Sequence, residues 1–194
     1  MASSNLETRS ASDFGGIARR KNTRRIFVGP ELIRTLAVTG TWVLEANSGV
    51  LSLATDDVGG AAELLTVPCP VEFSDMIVRG SAAVDRGVRI IGFELIYEVA
   101  ASALADIDVV IYKTTYDTEG IGTATAMVKT DSMDTAGDTG REIDQHRFLC
   151  TIAESNREFF DGGKTFHAVL DIDDGTSSDV NILGAIWHVE RIEE

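Results

Sequence analysis

VRIIGFELIYEVA, the stretch from Val88 to Ala100, decides the fold. Ile91, Phe93, Leu95, Tyr97 and Val99 recur at every second position, with Glu94 and Glu98 between them. Successive side chains of a β-strand point to opposite sides, so this spacing predicts a long strand with one buried face. The small residues Ala101 to Ala105 predict a turn. Ile107, Val109 and Ile111 then restart the alternation on a partner strand that continues through Tyr112-Lys113-Thr114-Thr115. β-branched and aromatic residues suit such a hairpin because they pack well on a pleated surface.

The same alternation extends in both directions. Thr41 to Ala46 alternates with Trp42 and Leu44 on one side, Asn47-Ser48-Gly49 is a turn, and VLSLA completes a hairpin. Leu64 to Val67 leads into Pro68-Cys69-Pro70, which suits an edge or a connection, since proline cannot donate to a ladder. Met76 to Val78, Thr123 to Val128, Arg147 to Ile152, Lys164 to Ile172 and Asn181 to Val189 complete the strands. A polar loop from Thr130 to Glu142 and a Gly/Asp turn from Asp173 to Ser178 separate them. Upstream, Ile26 to Val28 can add to a sheet edge, Pro30 interrupts, and Glu31 to Leu36 predicts a helical turn or more. Strands that do not alternate with helices exclude a parallel α/β fold. The expected fold is all-β: an antiparallel two-sheet β-sandwich, a jelly roll, with a Greek-key or immunoglobulin-like sandwich as the alternative. The expected organisation is an extended N-terminal arm and junction over residues 1–36 and a sandwich over residues 37–194.

Composition supports a single domain with an extension. The chain has 194 residues, of which 44% are hydrophobic. Its net charge of −14 is unevenly spread. Residues 1–25 hold six bases (Arg9, Arg19, Arg20, Lys21, Arg24, Arg25) and two acids, whereas the rest holds eleven bases and 29 acids. A polar segment of this kind cannot offset its ordering entropy alone, so it is expected to be disordered unless held. The charge contrast predicts a cationic strap that lies on the acidic body of a neighbouring copy. An acidic body repels nucleic acid, so no nucleic-acid partner is expected. No apolar run approaches the roughly 20 residues that span a bilayer, and the first residues lack the apolar core of a secretory signal, so no membrane association is expected. Cys69 and Cys150 read as two thiols buried on strands rather than a disulfide.

Motifs for catalysis are absent. There is no GxSxG elbow, P-loop or GxGxxG. His146, His167 and His188 lack the close HxH-like spacing of a metal-binding jelly roll and read as ordinary strand histidines. Asp171 to Gly175 fails the EF-hand spacing and reads as a turn, and Asp131, Asp134 and Asp138 share the polar loop. No enzyme activity, metal or cofactor is therefore expected. Trp42, Tyr116 and Trp187 are the aromatic residues that would stack on sugar rings if the chain bound glycans. The competing reading places them in the core or at an interface.

The run Arg86 to Val99, with its small-residue turn and the second strand ending in Tyr112-Lys113-Thr114, resembles jelly-roll virion proteins of tailed bacteriophages, as does the closing run Val180 to Val189. The resemblance covers residues 86–194 and is a pattern of strands. It implies a head decoration, or cement, protein on the capsid surface of the virion, assembled in the bacterial host cytoplasm. The partners it implies are itself, as a homotrimer, and the major capsid protein, with Arg9, Arg19, Arg20, Lys21, Arg24 and Arg25 as the binding arm. The alternative is a carbohydrate- or receptor-binding tail fibre module.

Overall fold

A computed structural model describes residues 20–37, 40–47, 49–55, 63–70, 78–79, 85–129, 141–160, 163–173 and 179–193. Twelve strands form among them: β1 (Arg20–Val28), β2 (Arg34–Ala37), β3 (Val43–Asn47), β4 (Val50–Thr55), β5 (Glu63–Pro68), β6 (Val78–Arg79), β7 (Asp85–Ala100), β8 (Asp106–Tyr116), β9 (Gly122–Ala126), β10 (Asp144–Thr151), β11 (Lys164–Asp173) and β12 (Asp179–Glu193). One sheet runs β10-β7-β12-β4-β3, with β1 beside β12 and β6 beside β7. The other runs β2-β5-β11-β8-β9. The pairings are antiparallel, and the chain passes repeatedly from one sheet to the other, which is the expected jelly-roll sandwich.

The core fills the space between the sheets. Phe93, Leu95, Tyr97 and Val99 of β7 meet Ile107, Val109 and Ile111 of β8, Leu170 and Ile172 of β11, and Trp187 of β12. Trp187 packs edge-on against Phe93, with ring centroids 4.8 Å apart, and its indole N–H donates to the Pro68 carbonyl at 2.9 Å. That bond ties β12 of the larger sheet to β5 of the smaller one.

Two bulges adjust the register of β7 against β12. His188 lies opposite Gly92 and Val189 opposite Ile90, so Ile91 is the extra residue and leaves the face of Phe93, Leu95 and Tyr97. The expectation that Ile91 shares that face is corrected: Ile90 is buried in its place, because the bulge reverses the alternation. Gly92 beside the bulge allows close approach, since a Cβ there would stand 2.6 Å from the Cys150 carbonyl oxygen. The second bulge makes Leu183 the extra residue on β12, next to Gly184.

Upstream, the helical turn expected within Glu31 to Leu36 is a single 3-10 turn, Pro30–Leu32, after which Ile33 is extended and the chain enters β2. Ile26 to Val28 add to a sheet edge as expected, and the strand begins earlier, at Arg20, because β1 pairs residue for residue with β12, from Arg20 opposite Glu193 to Val28 opposite Ala185. The turn at Asp174–Ser178 and the loop bearing Asp131, Asp134 and Asp138 lie outside the described residues. Cys69 and Cys150 are free thiols, and burial raises the pKa of Cys69 well above its usual range.

The outer face of the larger sheet holds a buried acid. Glu94 receives hydrogen bonds from Arg147 and, at 2.9 Å, lies against His188 Nε2. Burial alone would raise its pKa, but these two partners outweigh it and hold the carboxyl below its ordinary 4.5. Such a group stabilises the fold above the unfolded-state pKa, and the contribution is lost as pH falls through the lower folded value. Glu94→Gln is therefore expected to destabilise the protein by about 1–2 kcal/mol at pH 7. In urea titrations the gap to the unsubstituted protein should close as pH falls below 4.5. A gap that is unchanged at low pH would show that the charge contributes nothing.

Candidate functional site on the five-stranded sheet

The outer face of the smaller sheet is built by alternation. On β8 the core takes Ile107, Val109 and Ile111, which leaves Asp108, Val110, Tyr112, Thr114 and Tyr116 on the outside. On β11 the core takes Phe166, Ala168, Leu170 and Ile172, which leaves Thr165, His167, Val169, Asp171 and Asp173 outside. The register then sets rows across the sheet. Thr114 faces Thr165, Tyr112 faces His167, Val110 faces Val169, and Asp108 faces Asp171.

One end of this strip is aromatic. The Tyr112 and His167 rings stack at 5.4 Å with 14° between their planes. Burial lowers the His167 pKa from 6.5, so its ring is neutral at pH 7. On the other side of Tyr112 stands β9, whose residues in register with Tyr112, Thr114 and Tyr116 are Ala126, Ala124 and Gly122. No large side chain rises there. Tyr116 lies against Gly122 so closely that a Cβ there would be 3.0 Å from Tyr116 Cε1 and from Thr114 Cγ2. Its hydroxyl is 3.3 Å from Thr165 Oγ1, and the residue is 43% exposed. Glycine at 122 thus lets the ring settle on β9 while the hydroxyl bond fixes its direction.

The other end is acidic. Asp108 and Asp171 face each other across the β8–β11 pair, with Asp106 and Asp173 in the next row. Lys129 donates to Asp108 and to the Val109 carbonyl. Burial, then Asp108 and Asp173, raise the pKa of Asp171. From Tyr116 to Asp108 the strip spans about 26 Å at ~3.3 Å per residue. Among the described residues no group of three metal-ligating side chains converges.

The other residues singled out in the sequence fall elsewhere. Trp187 is fully buried, and Trp42 is half-buried with its indole N–H donating to Glu63 at 3.1 Å, so both serve the core as the competing reading held. Tyr116 alone of the three aromatics is displayed. His146 lies beside Tyr97 on β10, and His188 lies with Glu94 on the larger sheet, so the three histidines sit apart. Arg24 and Arg25 are exposed on β1, opposite Val189 and His188. Arg20 and Lys21 pair through their backbones with the end of β12, and Arg9 and Arg19 lie outside the described residues. Tyr112 and His167 were not singled out. Their signal was the outer half of the alternation, which reads as ordinary solvated surface until the strand order is known. An open groove of about 230 Å³ beside β9 is lined by Lys113, Met127, Asn156 and Glu158 among others, and the Lys113–Glu158 ion pair occupies its wall.

The fold and this face define a jelly-roll β-sandwich with an open aromatic and hydroxyl-bearing strip. No family model matches the chain, and no curated protein matches it. Among solved structures it is similar to the CBM22-1 xylan-binding domain of Xyn10C from Paenibacillus barcinonensis. That match has 12% identity and a TM-score of 0.43, over 86% of this chain and 92% of that one. It is also similar to a family 16 carbohydrate-binding module, with 12% identity and a TM-score of 0.38 over 77% and 82% of the two chains. A third similarity is to the enzymatically active domain of tailspike protein 4 of bacteriophage CBA120, with 10% identity and a TM-score of 0.32, over 86% of this chain and 19% of that one. The resemblance to head decoration proteins finds no support in these comparisons.

Proposed function

We propose that this chain is a non-catalytic carbohydrate-binding module whose ligand lies along the outer face of the five-stranded sheet. The observation that carries the proposal is the placement of Tyr116: an exposed ring seated on Gly122, its hydroxyl held by Thr165, in line with the stacked Tyr112–His167 pair. Sugar rings present C–H faces that pack on aromatic rings and hydroxyls that need hydrogen-bond partners. This strip offers rings at two positions and the hydroxyls of Tyr116, Thr114 and Thr165 between them. The strip is open, which suits a glycan chain rather than a small molecule enclosed on all sides.

Of the two functions expected from sequence, this one is the glycan-binding alternative. Capsid cementing through the basic residues would use Arg24 and Arg25 on the edge strand of the other sheet, so the two functions engage separate surfaces. Tyr116→Ala and Tyr112→Ala are each expected to weaken polysaccharide binding at least tenfold, about 1.4 kcal/mol. Arg24→Ala together with Arg25→Ala should leave it unchanged. Affinity electrophoresis through polysaccharide-loaded gels measures both. If the tyrosine variants are retarded as strongly as the unsubstituted protein, the proposal is wrong.

A further inference from the structure

We infer that the ligand of this face is an uncharged glycan, and that Asp108 and Asp171 both accept its hydroxyls and turn away acidic polysaccharides. This rests on the glycan-binding assignment above and adds the class of ligand. The inference comes from what adjoins the aromatic end. Past Tyr112 and His167 the strip continues over Val110 and Val169, which offer only apolar contact, and ends on two carboxylates set directly opposite each other. Asp108 and Tyr112 are four residues apart on one strand, roughly 13 Å, so a chain of several sugar rings seated on the tyrosines reaches the acids.

An ionised carboxylate only accepts, and O–H···O⁻ bonds are short and strong, so an uncharged polyol is a matching partner. A uronate or a sulfated sugar would bring like charge to the same point. Lys129 offsets Asp108, but among the described residues no cation pairs with Asp171, which has Asp108 and Asp173 as its charged neighbours. The wider field acts in the same direction, because the 194-residue chain carries a net charge of −14. Like-charge opposition of this kind selects partners by exclusion.

The test is isothermal titration of the full chain against two sets of polymers. The uncharged set is xylan, mannan and a β-glucan, and the acidic set is polygalacturonate and alginate. The expected result is binding to at least one uncharged polymer, lost in Tyr116→Ala, with acidic polymers at least tenfold weaker at low salt. The double variant Asp108→Asn/Asp171→Asn should bind its uncharged polymer several-fold more weakly and narrow the discrimination against polygalacturonate. Asp171→Asn alone removes a like charge, and its melting temperature should not fall, so it serves as the variant that remains folded. Acidic polymers that bind as tightly as uncharged ones, through Tyr116, would overturn this inference and leave the glycan-binding assignment intact. Absence of binding to either set would overturn both.

Discussion

Trp187→Ala is expected to destabilise the protein by about 3–5 kcal/mol, the largest single loss of any substitution considered. Native domains are stable by only about 5–15 kcal/mol, so this change removes much of the margin. Three effects coincide at this residue. The side chain is fully buried, so its removal leaves a cavity that the two sheets cannot close without moving. The edge-on contact with Phe93 disappears. The Pro68 carbonyl loses its indole donor, and with it a bond worth about 0.5–1.5 kcal/mol. For a chain of this length the melting temperature should fall by roughly 6–20 °C. Trp187→Phe helps to separate the contributions, because it removes the donor and keeps much, though not all, of the apolar volume. Calorimetry should place it between the two. If Trp187→Phe melts with Trp187→Ala, the hydrogen bond between the sheets outweighs the packing; if it melts with the unsubstituted protein, that bond is unimportant.

Gly184→Ala should be nearly as damaging, for a different reason. Gly184 has φ of +146°, a region that residues with a Cβ rarely adopt. A Cβ there would also stand 2.7 Å from Phe27 Cζ and 3.0 Å from the Val28 carbonyl oxygen. The Phe27 ring is exposed and can swing aside, but the Val28 carbonyl belongs to β1 and cannot move without disturbing its pairing with β12. We expect a loss of about 2–4 kcal/mol from backbone strain and displacement together. Hydrogen exchange locates the damage: amides of Arg24 to Val28 should lose protection before those of β7 and β11. Adding Phe27→Ala should recover only part of the loss, since the strain and the carbonyl clash persist. Full recovery would mean that ring crowding is the whole effect.

Both substitutions concern β12, which joins β7 on one side and β1 and β4 on the other. The strand also connects stability to the position of the basic residues. β1 docks by backbone hydrogen bonds to β12, so the exposed Arg24 and Arg25 sit on an ordered sheet edge.

Much of this architecture was legible in local pattern. The period of two from Val88 through Ile111 announced β7 and β8, and Asn47-Ser48-Gly49 announced the β3–β4 hairpin. Alternation is a property of neighbouring residues, so it survives in the sequence. It set out Ile107, Val109 and Ile111 as the alternating residues of β8 and carried the strand on through Thr115, while the opposite face with Tyr112, Thr114 and Tyr116 emerged only from the structure. What a linear pattern cannot carry is which strands become neighbours and in what register. Only the assembled sheets set His167 on Tyr112, Tyr116 on Gly122 and Asp171 opposite Asp108, because these contacts join strands far apart in the chain through backbone bonds that any side chain permits. The same non-local pairing drew Arg20 to Val28 into the sandwich although the composition of the first 25 residues gave it no core of its own. It also buried Trp187, on the face of β12 that turns toward the other sheet, and left Tyr116 displayed on the outer face of β8.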